Sequence, residues 1–426
     1  MGIETREFKN TNEFISLLGF GGCRLPTHKN ERNVWEVDKI KLEEMIDYAM
    51  QHGINYFDTA YYYYDGASES YFGEILSKYP RNKYNIVTKM PLWKFESEDE
   101  LNNIFNEQLK RCRVDFFDFY LMQAICADSI LNIEKYNIHE YLKNKQKEGI
   151  IRHLGFSFHD KPDLLRTAVE RYAPEFVLIQ LNYLDWQLQD AKTQYQILKD
   201  NKIPVSVMEP VRGGILATLC EKSRKIFIEA NPNASTASWA LRYSASFPEV
   251  FTVLSGMSNM EQLKDNVNTF ENFKFLDDSE RLVINNALTV YKKLLKVPCT
   301  ACRYCMDCPH GVDIPGIFNA FNYYYQQGQN IKTSMDRFLE RYDYIEKNKQ
   351  AHACIRCKIC VKKCPQHINI PYWLKKVHNL YIRSKLIYQM YIVITRPIIK
   401  IKKVGIINML KYYWRKYVKG QKNEQA

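Results

Sequence analysis

The sequence has no apolar run long enough to cross a bilayer. The one in its tail, between Lys385 and Arg396, is ten residues, half of what a spanning helix needs. The opening MGIETREFKN holds no apolar stretch of the kind a secretory signal requires, so the expectation is a cytoplasmic protein with reduced thiols. No GxGxxG fingerprint follows the first apolar run, where GFGG stands at residues 19–22. The main body also lacks net charge. The residues from Gln366 onward hold 13 of the 60 Lys and Arg and one of the 48 Asp and Glu, so 47 of each sign precede them. The formal charge of +12 therefore belongs to a tail, and nucleic acid is not an expected partner. With 426 residues, 46% hydrophobic and 25% charged, the chain is too rich in apolar residues for wholesale disorder and too charged for a polytopic membrane protein. One large domain and a smaller one fit the length.

Eight short apolar runs alternate with longer segments of helical period from about residue 15 to about residue 295: SLLGFGG, INYFDTA, YNIVTKM, DFFDFYLMQ, IRHLGFSF, EFVLIQLNY, IPVSVMEP and VFTVLSG. Between them lie helical patterns such as VDKIKLEEMIDYAMQHG and DELNNIFNEQLKRCRV. Strict alternation with eight strands predicts a closed (β/α)8 TIM barrel; the rival, an open doubly wound sheet, wants the missing fingerprint. In such a barrel the strand ends converge on one mouth. The ends read as Asp58 followed by a run of tyrosines, Lys89, Gln123, Ser157 and His159, Gln180 and Asn182, and Glu209.

An Asp, a Tyr and a Lys at neighbouring strand ends make chemical sense together. A buried ammonium lowers a phenol's pKa from its usual value of about 10, the carboxylate holds the ammonium, and the phenol can then protonate a developing alkoxide. The segments FDTAYYYYDGASE, IVTKMP, DFFDFYLMQA, HLGFSFH, IQLNY, VMEPVRGG and SGMSNMEQLKDNV occur in this order, each at an expected strand end. Over roughly residues 5–275 this closely resembles the aldo-keto reductase family. The resemblance implies a barrel that binds NADP or NAD in extended form and transfers hydride to or from a carbonyl. It implies catalytic roles for Asp58, Tyr63 and Lys89, contacts of Ser157 and Gln180 to the nicotinamide carboxamide, and a contact of Asn266 to the adenine.

Three positions depart from the family pattern. Gln123 stands where the family has a His; its amide donates a hydrogen bond but has no proton to exchange near pH 7. Either His159, two residues past the neighbouring strand end, compensates, or the substrate is a conjugated double bond such as an enone rather than a simple carbonyl. His159 is equally a candidate for the phosphate side of the cofactor site. Phe158 replaces an Asn found beside Ser157 in many relatives, and the positions near Gly256 and Gln262 that grip a 2'-phosphate in many relatives carry no charge. The expectation leans to NADP over NAD.

Eight of the twelve cysteines form two runs, Cys299, Cys302, Cys305 and Cys308, then Cys354, Cys357, Cys360 and Cys364. The second run has three cysteines two residues apart and a fourth, before Pro, after three more, which is the bacterial ferredoxin spacing. Three thiolates on one tight loop fit three corners of a cubane, and the fourth reaches across. Two [4Fe-4S] clusters are expected, one held by Cys299, Cys302, Cys305 and Cys364, the other by Cys354, Cys357, Cys360 and Cys308; zinc is the competing metal. The 45 residues between the runs are helical in pattern and resemble the α-helical type of two-cluster ferredoxin. Cys23, Cys112, Cys126 and Cys220 are expected to be buried hydrophobes.

The expected organisation is a barrel over residues 1–295, an α-helical ferredoxin-like iron-sulfur domain over 296–378 and a basic helical tail over 379–426. In the tail Ile407, Leu410, Trp414, Tyr417 and Val418 share one helical face and Lys411, Arg415, Lys416 and Lys419 the other. That pattern suits peripheral contact with the inner face of a membrane, packing on the barrel, or an acidic electron carrier. Nicotinamide moves two electrons together and each cubane moves one, and no flavin signature is visible. The candidate electron partner is therefore a ferredoxin or a flavoprotein. The alternative reading makes the clusters structural or redox-sensing and the barrel a simple reductase or a non-catalytic regulator.

Overall fold

The structure, a computed structural model, describes residues 2–9, 11–30, 35–93, 97, 99–326 and 334–404, with 391–404 as backbone only. The chain forms two compact units that divide between Lys292 and Lys293.

All eight apolar runs of the first unit become strands of one closed parallel barrel: β1 (Leu18–Gly21), β2 (Tyr56–Asp58), β3 (Asn85–Pro91), β4 (Phe117–Ile125), β5 (Ile151–Phe158), β6 (Val177–Gln180), β7 (Val205–Met208) and β8 (Val250–Ser255). Their order around the barrel is their order in the chain, and β8 pairs with β1 to close it. β4 reads FDFYLMQAI and is buried at eight of its nine positions. A strand covered by the barrel interior on one side and by helices on the other has no solvent face to alternate with. The helices instead carry a single stripe. Helix Asp99–Cys112 buries Leu101, Ile104, Phe105, Gln108 and Cys112, the three-and-four spacing of one helical face.

An N-terminal hairpin of Thr5–Phe8 and Glu13–Ser16, not foreseen from the sequence, supplies a plug for the barrel interior. Phe8 is fully buried and meets Phe119 and Phe251 edge to face, with ring centroids 5.1 Å apart in each case. Burying such a ring contributes about 1.5–3 kcal/mol, and each aromatic pair adds about 0.5–1.5 kcal/mol. Arg6 of the same hairpin donates to the carbonyls of Ala245 (2.7 Å) and Phe247 (2.9 Å). The imidazole of His153 on β5 meets Phe8 edge to face and bonds Glu175 through Nδ1 and Glu13 through Nε2, each at 2.8 Å.

The second unit has its own core. Helices Ile314–Gln326, Asp336–Asp343 and Ile370–Val404 bring together Ile317, Phe318, Phe321, Phe338, Tyr342, Ile370, Leu374 and Val377. Pro315 and Pro371 each occupy the second position of a helix, where the missing N–H costs nothing. Asn322 accepts from the Val297 N–H (2.9 Å) and donates to its carbonyl (2.7 Å), anchoring the segment that leads into the first cysteine run. Helix Ile370–Val404 runs unbroken across residue 379, where the sequence suggests the tail begins. The faces expected from Ile407 to Lys419 lie outside the described residues. Among the described residues no helix is long and apolar enough to cross a membrane.

Burial works against a charged His153, but its bonds to Glu175 and Glu13 outweigh that and raise its pKa above the ordinary 6.5. A raised folded pKa stabilises the fold fully below the unfolded value, and that contribution disappears as pH rises through the folded one. The stability gap between the wild type and His153→Gln, measured by urea unfolding, is therefore expected to narrow from about pH 6 to about pH 9. A gap constant across that range would exclude a charged clamp.

Candidate functional site

Asp58 closes β2 and Lys89 lies near the end of β3, on one rim of the barrel. The Lys89 ammonium donates to Asp58 Oδ1 (2.7 Å) and Oδ2 (2.8 Å) and to the Thr59 carbonyl (2.5 Å). Both side chains are almost completely withdrawn from water. Burial lifts the Asp58 carboxyl above its ordinary range, and Lys89 offsets only part of that lift. Lys89 Nζ also lies 5.1 Å from the centre of the Tyr63 ring, in the short helical turn Tyr63–Gly66. Tyr64 and Asp65 there have φ of +54°, a left-handed conformation that sharply turns the tyrosine run.

The remaining expected residues stand on the same rim or on the helix after it. Gln123, opposite Pro91 on β3, is buried, and among the described residues its Oε1 has no hydrogen-bond partner. The Ser157 hydroxyl accepts from the Ala124 N–H at 2.7 Å. Gln180 donates its amide to Asp185 (2.7 Å). Asn266, in helix Met260–Glu271, donates to Ser255 at the end of β8 (3.0 Å). Burial and the nearby Lys89 charge push the His159 imidazole down to about 4, so it is neutral at pH 7. A neutral ring donates one N–H bond but is no ready proton source in place of the missing family histidine.

Two groups near this rim, Gln108 and Arg212, escape a sequence reading, whereas Asn182 and Glu209 are expected strand-end residues. Behind Lys89, Gln108 donates to Glu69 (2.8 Å), to Thr88 (3.0 Å) and to the Lys89 carbonyl (3.0 Å), and accepts from Tyr120 (2.5 Å). On the far side Arg212 Nε reaches both oxygens of Asp185 at 3.0 Å, with neither side chain exposed. Asn182 joins Asp185 to the Glu209 carbonyl. Glu209 sits just past β7 with φ +56°, one carboxyl oxygen lacks a partner among the described residues, and burial raises its pKa. Cys112 and Cys220 are buried as expected and Cys126 partly so, but Cys23 is exposed because it lies in the loop after β1, where the mouth opens. The stem of Arg24 rests on Gly256, within 3.0 Å of where a Cβ would stand. A position without charge in its own segment thus gains a cationic neighbour from the other end of the barrel sequence.

In the second unit the two cysteine runs share a backbone device. Ala301 and Arg303, flanking Cys302, have φ of +57° and +69°; Arg356 and Lys358, flanking Cys357, have φ of +61° and +64°. For residues with a Cβ this costs about 1–2 kcal/mol each. Left-handed residues alternating with right-handed ones are a feature of the nest geometry that suits phosphate and iron-sulfur anions. The Ala301 N–H reaches the Cys299 sulfur at 3.3 Å. Burial and then the nearby Cys302, Cys299 and Cys364 push the Cys305 thiol up. Burial and then Cys354, Cys308 and Cys357 push Cys360 up to about 11. Cys308, Cys354, Cys357 and Cys360 line one cavity. The fourth thiol of each run thus stands with the first three of the other. Among the described residues no three His, Cys, Asp or Glu converge as a single ion requires.

The aldo/keto reductase family matches residues 17–283, more than half of the chain. The chain belongs to that family. A second match, to a 4Fe-4S dicluster domain, covers residues 298–371. This aldo/keto reductase is 28% identical over 288 residues to L-galactose dehydrogenase of Arabidopsis thaliana, covering 62% of this chain and 87% of that one. Its fold is similar to that of the aldo-keto reductase AKR11C1 from Bacillus halodurans in its holo form, with TM-score 0.56 and 24% identity over 67% of this chain and 96% of that one. An aldo/keto reductase from Klebsiella pneumoniae, solved in complex with NADP and acetate, gives TM-score 0.52 and 18% identity over 68% and 96%. At these identities the structural likeness is one of fold. The protein is an oxidoreductase with an iron-sulfur domain.

Lys89→Met leaves a buried carboxylate without its cation and is expected to cost about 3–5 kcal/mol in urea unfolding. Adding Asp58→Asn should recover part of that loss. A double variant whose loss equals the sum of the two single ones would mean the pair is not coupled.

Proposed function

We propose that the barrel of this aldo/keto reductase transfers hydride between NADP or NAD and a small carbonyl or conjugated carbonyl compound, with Tyr63, Lys89, Asp58 and Gln123 as its reacting set. The observation that carries this reading is the Lys89 ammonium, clamped by Asp58 and facing the Tyr63 ring at 5.1 Å. Tyr63 gives its proton to the oxygen of the carbonyl being reduced. Lys89 stabilises the phenolate left behind, and Asp58 fixes Lys89 so that its charge stays aimed at the ring. Gln123 offers an amide to the same oxygen, and His159, uncharged, shapes the wall beside it.

The donor set fits a nicotinamide. A carboxamide has both a donor and an acceptor, and the rim offers the Gln123 oxygen, the Ser157 hydroxyl and the Gln180 amide. A nicotinamide dinucleotide held there supplies or removes the hydride. Asn266 would serve the adenine end, and Arg24, over Gly256, is the cation for a phosphate. The NADP complex of the Klebsiella pneumoniae relative supports the same cofactor class.

In the second unit the crossed thiol sets and the paired left-handed loops fit two [4Fe-4S] clusters, one on Cys299, Cys302, Cys305 and Cys364 and one on Cys354, Cys357, Cys360 and Cys308. Such clusters supply or accept single electrons. Their role here is relay to or from a ferredoxin or flavoprotein.

Tyr63→Phe is expected to lower turnover across a panel of aldehydes and enones by about 10²–10⁴-fold while NADPH binding, read by fluorescence, stays unchanged. Unaltered turnover would remove Tyr63 from the chemistry. For the clusters, anaerobic protein should carry about eight irons. Cys308→Ser should perturb the EPR signal that Cys357→Ser perturbs, and Cys364→Ser the signal that Cys302→Ser perturbs. Pairing by run would overturn the crossed assignment.

A further inference from the structure

The two cysteine runs share a backbone device but differ in what they show to solvent. In the first, Cys302 is half-buried and Cys305 buried, and the run carries one cation, Arg303, and one acid, Asp307. In the second, Cys357 is exposed at the tip of its loop. Ile355 and Ile359 flank it, 62% and 42% exposed. Arg356, Lys358, Lys362 and Lys363 are exposed around them, and no acid occurs from His352 to Ile370. Lys363 is tied to Asp307 of the first run, which leaves three cations directed at solvent around the loop.

Two isoleucines so exposed forgo part of the roughly 1.5–3 kcal/mol that full burial of each would contribute. Single exposed apolar side chains need no explanation, but here two bracket an exposed thiol and a basic rim encloses all three. A small apolar centre with a charged rim is the anatomy of a recognition patch, and its limited extent matches the low end of interface sizes, where electron-transfer encounters lie. The charge selects the partner, since opposite potentials steer encounter and cations repel a basic protein. The exposed thiol selects the purpose, because a carrier seated there meets this unit at the cluster ligand nearest to water.

We infer that the loop from Cys354 to Lys363 is the docking face for an acidic one-electron carrier protein, with Ile355 and Ile359 as its apolar centre and Arg356, Lys358 and Lys362 as its steering rim. This rests on the reading that the second unit relays electrons. At each encounter one electron crosses between carrier and protein, one gaining what the other loses, with no bond or proton moved.

The test uses the full chain, purified without oxygen with its iron, over an immobilised acidic [2Fe-2S] ferredoxin as probe, with Kd measured by surface plasmon resonance from low to high salt. Wild type should bind with a Kd that weakens steeply with salt. The triple variant Arg356→Glu, Lys358→Glu, Lys362→Glu should weaken it more than tenfold at low salt and flatten that dependence, with the visible cluster spectrum unchanged. Because two of those positions adjoin Cys357, Lys362→Glu alone, at a position that adjoins no cysteine, is the second variant and should weaken binding several-fold. The inference is overturned by unchanged Kd in either variant that keeps its spectrum, by no wild-type binding at low salt, or by a wild type that instead sediments with phosphatidylserine vesicles through this loop. Dithionite potentiometry separates the two readings: clusters that cycle in a protein without carrier binding refute only the docking face, whereas inert clusters in a protein that still binds refute only the relay.

Discussion

A charge buried at the end of a barrel strand needs its countercharge within hydrogen-bond reach, and the first unit is arranged around that requirement. Lys89 and Asp58 stand on adjacent strands and satisfy one another twice, and the Thr59 carbonyl takes a third contact of the ammonium. Removing two charges from water carries a penalty of several kcal/mol per ion, recovered only when geometry and additional hydrogen bonds are good. The supporting bonds come from behind. Gln108 pins the backbone of Lys89 and the hydroxyl of Thr88, and Glu69 and Tyr120 hold Gln108 in turn. Gly73 lets the helix that carries Glu69 approach the Arg111 backbone, where a Cβ would come within 2.2 Å of a carbonyl oxygen. The ammonium is therefore fixed in place before any substrate arrives.

The parts of this arrangement that could be read in the amino-acid order are those with a local signature. Parallel strands buried on both sides appear as unbroken apolar runs, and all eight were visible as such. Their polar terminal residues then fall on one rim by topology alone, which is why Asp58, Lys89, Gln123, Ser157 and Gln180 could be picked out. The N-terminal hairpin left no such mark, because its four-residue strands are held by Phe8 and Arg6 reaching residues more than a hundred positions away. The Gln108 and Arg212 networks are invisible for the same reason. Cys23 ran against expectation because a thiol's preference for burial is an average, while its place in the loop after β1 is decided by the barrel. Arg24 on Gly256 shows how a charge absent from one segment is supplied from another.

In the second unit the spacing of the cysteines carried nearly all of the information. The spacing implies crossed ligand sets, and the structure brings Cys364 near Cys305 and Cys308 near Cys360. The left-handed residues beside Cys302 and Cys357 were not legible, since Ala, Arg and Lys are not residues that favour positive φ. Strained residues of this kind cluster at ligand-binding loops.

Because each run lends its last thiol to the other set, neither pocket is complete until both stretches of chain have come together. The unit is a clasp rather than two beads. Whatever fills the first pocket draws Cys364, and with it the start of helix Ile370–Val404, into position, and so gathers the loop of the second. Ordering one set of thiols therefore orders part of the other, so the two pockets gain or lose their shape together.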